Sequence, residues 1–158
     1  MVEVEDIGIV AWHEEGVWRL SQLNEVNDLE KILEEMQSDD TNSNCIGLIS
    51  KGEDYFIAIH IKGEQVEIAL SDVLYASESD LAADVLEELE LPYPQEEDDA
   101  QPAGDTGLLS EYGISAMEFE ALANDFDLFP DEQLEALAAR LGFVEQYLEI
   151  VEELKDKE

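Results

Sequence analysis

Tyr55-Phe56-Ile57-Ala58-Ile59-His60-Ile61, then Lys62-Gly63-Glu64, then Gln65-Val66-Glu67-Ile68-Ala69-Leu70 is the stretch that decides the fold. Its first run is almost continuously apolar and rich in β-branched and aromatic residues, which predicts a central strand covered on both faces. In the second run Val66, Ile68 and Leu70 alternate with Glu67 and Ala69, the pattern of a strand with one wetter face. The Lys-Gly-Glu between them is a turn. Upstream, Cys45 to Ser50 is a third β-prone run, joined to Tyr55 by Lys51-Gly52-Glu53-Asp54. Further out, Ile7 to His13 and Val17 to Leu23 flank Glu14-Glu15-Gly16 as a hairpin, with Trp12 and Trp18 one in each strand.

Helices fill the gaps. Asn27-Asp28-Leu29-Glu30 reads as a capping box with Asn27 at the cap, and Val26, Leu29, Ile32, Leu33 and Met36 recur at helical spacing. Ser38 to Asn44 is polar loop. Ser79 or Asp80 caps a second helix running to Leu89. The expected unit over residues 1–90 is an α+β domain of order ββαβββα, with a five-stranded, mainly antiparallel sheet. Its element order is similar to the longin-type interaction fold, an analogy of order alone.

Pro92, Pro94, the acids that follow and Pro102 mark residues 91–105 as an acidic, proline-rich linker. Beyond it the β-signal stops, and residues 106–158 read as a small helical region. Thr106 to Tyr112 is a turn or two of helix ended by Gly113, and Ser115-Ala116-Met117-Glu118 is a second capping box. Asp131 to Leu141 is a helix, with Pro130 at its start and Gly142 at its end. Phe143 to Leu154 is the last, with Val144, Tyr147, Leu148 and Val151 on one face.

Charge narrows the choice of partner. The chain holds 42 acidic and seven basic residues, a formal net charge of −35. Residues 1–90 carry 23 acids and four bases and residues 91–158 carry 19 and three, so the acidity belongs to the whole molecule. Such a surface repels nucleic acid and anionic lipid and favours a basic protein surface. Apolar residues make up 45% of the chain, enough for a core, so the acids belong outside. Cys45 is the only cysteine, which excludes an intramolecular disulfide and a Cys-rich metal site. No apolar run approaches the ~20 residues that span a bilayer, and Met1 to Asp6 is acidic where a signal peptide is basic. The expected location is the cytoplasm, with no membrane partner.

Chemical motifs are few. His13-Glu14-Glu15 matches the H-x-E half of the zinc nucleoside-deaminase signature, but its P-C-x-x-C half needs two cysteines. His60, in an apolar strand, is expected to be a satisfied core or edge residue. An EF-hand register starting at Asp125 places Phe129, Pro130 and Ala136 where the loop needs an oxygen ligand, Gly and Glu. There is no G-x-S-x-G, Walker A loop or G-x-G-x-x-G. Carboxylate pairs are unavoidable among 42 acids, so they single out nothing. The residues therefore assign no catalytic, cofactor or metal position, and the expectation is a non-catalytic protein-binding module. The competing enzyme reading requires Asp72, Asp105, Asp125, Asp127 and Asp131 to converge on a metal-assisted hydrolytic site. A third reading makes the acidity an adaptation for solubility, unrelated to any partner.

Tyr55-Phe56-Ile57-Ala58, Leu70-Ser71-Asp72, Pro102-Ala103-Gly104-Asp105 and Gly113-Ile114-Ser115-Ala116-Met117-Glu118 recur in order with two further segments. These are Asp125-Phe126-Asp127-Leu128-Phe129-Pro130-Asp131-Glu132 and Ala139-Arg140-Leu141-Gly142-Phe143. Together they resemble the actinobacterial tRNA adenosine deaminase-associated proteins, most specifically from Pro102 to Phe143. The family's genes lie beside that of the enzyme converting the wobble adenosine of tRNA to inosine. The resemblance implies that deaminase as a candidate partner, and no catalytic residue. A Tyr that often precedes the Pro-Asp pair in the family is Phe129 here. Contact with a partner is expected from Asp125, Asp127, Phe129, Asp131, Arg140 and Phe143, with Phe126, Leu128 or Phe129 as an apolar anchor.

A chain this negative folds against its own repulsion, and salt screens that repulsion. The midpoint of thermal unfolding should rise between low and moderate NaCl; a flat or falling midpoint would contradict the assignment of the acids to one crowded surface.

Overall fold

A computed structural model of the chain describes residues 6–14, 16–37, 44–95, 99–125 and 127–156. Glu15 of the expected hairpin turn, residues 38–43 of the expected loop, the linker acids at 96–98 and Phe126 lie outside the described residues, as do Met1 to Glu5. The strands are β1 (Ile7–Glu14), β2 (Val17–Gln22), β3 (Asn44–Lys51), β4 (Tyr55–Lys62), β5 (Gln65–Leu70) and β6 (Ala103–Gly104). They form one sheet in the order β2-β1-β3-β4-β5-β6, and every pairing is antiparallel.

The expected count of five strands is corrected to six. Ala103–Gly104, inside the expected linker, pairs with Leu70 and Ala69 at the end of β5. Two residues carry no period-2 signal, so this strand is invisible to alternation. Gly104 is needed there on two grounds. Its φ is +92°, and a Cβ would stand 2.4 Å from the Ile68 carbonyl oxygen. Two further described residues of the segment are tied down: Val73 N–H donates to the Gln101 carbonyl (2.9 Å) and the Tyr93 hydroxyl donates to the Ala76 carbonyl (2.9 Å).

The sheet is covered twice. Helices α1 (Leu29–Gln37) and α2 (Asp80–Glu88) lie on one face, and α3 (Ala116–Ala123), α4 (Pro130–Leu141) and α5 (Val144–Asp156) belong to the core of the other. All of β4 from Tyr55 to Ile61 is buried, and its side chains divide by alternation. Tyr55, Ile57, Ile59 and Ile61 join Ile32, Met36, Leu81 and Val85 under α1 and α2. Phe56 and Ala58 join Phe119, Leu134, Leu137, Phe143 and Tyr147 under the C-terminal helices. Each fully buried Leu, Ile or Phe stabilises by about 1.5–3 kcal/mol, so residues 106–158 are joined to the sheet by hydrophobic burial. On the first face α1 comes close enough that a Cβ on Gly47 of β3 would meet the Met36 sulfur at 2.7 Å.

Local signals place most helix ends. Ser79 and Ser115 cap α2 and α3 by accepting from Ala82 N–H (3.4 Å) and Glu118 N–H (3.1 Å). Gly142, at φ +101°, ends α4 in the left-handed conformation. The start of α1 differs from expectation. Asp28 accepts from Lys31 N–H (3.2 Å), and its carbonyl takes Ile32 N–H (2.9 Å), so Asp28 and not Asn27 is the cap. Asn27 Oδ1 is engaged by Lys51 Nζ (2.7 Å), which also donates to Asp6 (2.7 Å) and the Val26 carbonyl (2.9 Å). An ammonium with three donors ties the entry of α1 to the end of β3.

Gly104→Ala should lower stability in urea unfolding by about 1–3 kcal/mol, because strain and a backbone clash act together. Gly16→Ala, at φ +80° but with open space around it, should lose less; equal losses would mean that the β5–β6 approach is not tight.

Candidate functional site: two surfaces on the helical layers

The expected contact residues fall around the junction of α3 and α4. Asp125 follows the end of α3, and its Oδ1 accepts Asp127 N–H (3.1 Å), which closes a side-chain turn. Glu132 accepts Phe129 N–H (3.0 Å) and so holds the first turn of α4. Gln133, 5% exposed and not singled out by sequence, fixes the junction. Its Nε2 faces the carbonyls of Leu122 (2.8 Å), Ala123 (3.3 Å) and Asp125 (3.4 Å) at the end of α3. From behind, the Tyr147 hydroxyl on α5 donates to the Asp131 carbonyl (2.8 Å).

At the other end of the pair Arg140, in the last turn of α4, donates through Nη2 to Glu118 (2.8 Å) and to the Gly113 carbonyl (3.0 Å). Both side chains are about half exposed, so the ion pair contributes about 0–1 kcal/mol and positions more than it stabilises. Between these ends runs a cleft of about 360 Å³ with a floor of Ile114, Ala121, Leu122, Ala136 and Leu137. Asp125, Glu118 and Arg140 complete its lining. The structure thus brings Asp125 and Arg140 to one cleft and sets Asp127, Phe129 and Asp131 on the adjoining turn. Phe129 is half exposed. Phe143 lies apart, wholly buried, with Trp18 edge-on at 5.0 Å between ring centres. Truncating it would remove core, at about 3–5 kcal/mol for Phe→Ala. Met117, at 79% exposure, is one large apolar side chain on α3 that the sequence did not single out as a contact. Its only signal is a methionine beside Glu118 in a first helical turn.

The second surface lies on the opposite layer. A groove of about 640 Å³ between α1 and α2 is lined by Asp28, Glu30, Glu34, Asp84, Glu87 and Glu88, with Leu29, Leu33 and Gln37 and no basic side chain among them. No local motif announces it, since its two walls are about fifty residues apart in the chain.

Asp105 accepts Ile68 N–H (3.2 Å) and Asp72 caps the turn after β5 through Leu74 N–H (3.0 Å). Burial raises the Asp72 carboxyl above its ordinary value, against the lowering effect of that hydrogen bond. Among the described residues no three His, Cys, Asp or Glu side chains come together to hold a metal. The His13 ring packs on Trp18 at 4.5 Å. Buried His60 bonds Asn44 Oδ1 through Nε2 (2.9 Å), while its Nδ1 has no hydrogen bond and stands 3.7 Å from Glu67. The expectation of a satisfied histidine holds for one nitrogen only. No helix among the described residues is long and apolar enough to cross a membrane.

A family model described as Rv3753c-like tRNA adenosine deaminase-associated protein matches residues 6–144. Protein Rv3753c of Mycobacterium tuberculosis is 30% identical, over 95% of this chain and 90% of its own length. No solved structure matches the chain.

Burial also acts on two phenols, Tyr55 beneath α1 and α2 and Tyr147 behind the first surface. It pushes Tyr55 up to about 12, partly offset by the hydrogen bond with Ser79, and drives Tyr147 still higher with Asp131 and Glu135 adding to the effect. Unfolded tyrosines ionise near pH 10, where the folded chain keeps these protons. The folded state therefore binds more protons above pH 10, and stability should fall as pH rises through the window from 10 to about 12. Ionisation of all five tyrosines near pH 10 with the fold intact would show that the two are not buried.

Proposed function

Because the chain belongs to the Rv3753c-like tRNA adenosine deaminase-associated protein family, we propose that it is a non-catalytic, acidic protein-binding module acting in the cytoplasm on the tRNA wobble adenosine deaminase. The observation that carries this reading is the α1–α2 groove, six carboxylates with no base in the lining, on a chain of net charge −35. An enzyme that binds tRNA presents cationic side chains to phosphates. An acidic surface is complementary to the same side chains, which speeds encounter and selects the partner. The module does not bind tRNA itself, because its charge has the sign of the phosphates. It occupies or shields the cationic surface of the enzyme, or assembles with it beside the tRNA path.

Calorimetric titration of the tRNA adenosine deaminase into this protein, at low and moderate salt and with and without tRNA, tests the reading. Saturable binding that weakens with salt is expected. Abolition by tRNA identifies occupation of the tRNA surface, and persistence in tRNA identifies assembly elsewhere. Glu34→Gln combined with Glu87→Gln and Glu88→Gln should weaken binding at low salt and flatten its salt dependence. No heat at either salt would refute the proposal.

A further inference from the structure

We propose that the α3–α4 cleft seats one amphipathic helix of a basic partner, with the N-terminal end of that helix at Asp125 and its C-terminal end at Arg140. The partner's identity as the deaminase rests on the function proposed above; the choice of a helix and its direction rest on the cleft.

Gln133, on the second turn of α4, meets the end of α3, and Arg140, on the last turn of α4, meets Glu118 on the first turn of α3. The two helices therefore run antiparallel along the cleft. Seven residues separate Gln133 from Arg140, about 10 Å of rise or two helical turns. That length suits anchors at i, i+4 and i+7 of an incoming helix, the usual way a groove reads a helix. The floor is apolar throughout, with no charged group between the two ends. Two large apolar side chains are exposed close by in the chain, Met117 next to Glu118 and Phe129 on the turn that follows Asp125.

The ends differ in charge, and this gives the direction. At one end Asp125 offers a second carboxylate oxygen that makes no hydrogen bond among the described residues, with Asp127 and Glu132 exposed just beyond. At the other end Glu118 and the Gly113 carbonyl use only Nη2 of Arg140. Nε and Nη1 make no hydrogen bond among the described residues and remain donors. A helix carries unpaired N–H groups and partial positive charge at its start, and unpaired carbonyls with partial negative charge at its end. Asp125 suits the first set and the free donors of Arg140 the second, the Glu118 carboxylate at that end being already paired with Arg140; the reverse direction would set carbonyls against the carboxylates of Asp125 and its neighbours, which no base pairs among the described residues. The acids around the rim favour Lys or Arg on the flanks of the helix. A second copy of this chain is disfavoured as occupant, since each copy brings a net charge of −35.

The test titrates the intact tRNA adenosine deaminase into the parent protein and into Ala121→Trp, Arg140→Gln and Asp125→Asn, at low and moderate salt. Ala121 is exposed on α3, so Trp fills the cleft without entering the core, and Arg140→Gln and Asp125→Asn report the ends independently should it disturb folding. Unfolding midpoints are followed for each. Ala121→Trp should weaken binding at least tenfold at both salts, and each end variant about three- to tenfold, with midpoints close to the parent's. Parent-like affinity in Ala121→Trp would overturn the cleft while leaving the proposed function standing. Absence of binding by the parent would overturn both. A dimer of the protein alone that Ala121→Trp dissociates would overturn the heterologous helix in favour of a second copy.

Discussion

Strands β3 and β4 are buried on both faces, and the rest of the molecule is arranged to keep them so. An apolar sheet face left open to water is unfavourable, and the many carboxylates of a chain with net charge −35 cannot go inside unpaired. Two helical layers answer both demands. Their inner sides supply Ile32, Met36, Leu81 and Val85 below and Phe119, Leu137, Phe143 and Tyr147 above, and their outer sides carry the acids. The acidic groove and the α3–α4 cleft both belong to this outer surface, one on each layer.

Much of this architecture was legible because it is coded locally. The apolar run of Tyr55 to Ile59, the hairpin glycines, Ser79, Ser115, and the Pro130–Gly142 bracket each act within a turn or two of chain. What escaped depends on distant partners. β6 is two residues whose only qualification is the strand beside them. Asn27 and Asp28 are equally good caps, and the outcome follows from Lys51, more than twenty residues away, which engages Asn27. Gln133 reads as one more polar helical residue until its carbonyl partners are seen.

The candidate site divides the same way. Asp125, Asp127, Phe129, Asp131 and Arg140 form a continuous region because α3 and α4 are a local helical hairpin. Phe143 reads identically as a contact or as core, since an apolar residue after a helix-ending glycine serves either purpose; here it meets Trp18 from the first hairpin. The α1–α2 groove is the product of tertiary packing and has no signature in either of its walls alone.

The amide of Gln133 acts as a rivet. Buried, with three carbonyls at the end of α3 within reach, it sets the spacing of the two helices before anything arrives between them. A cleft whose walls are already at their working distance loses little conformational freedom on being filled. Occupancy should then look like a key entering a cut lock, with little change in the backbone of this chain, and adaptation falls to whatever segment the partner brings.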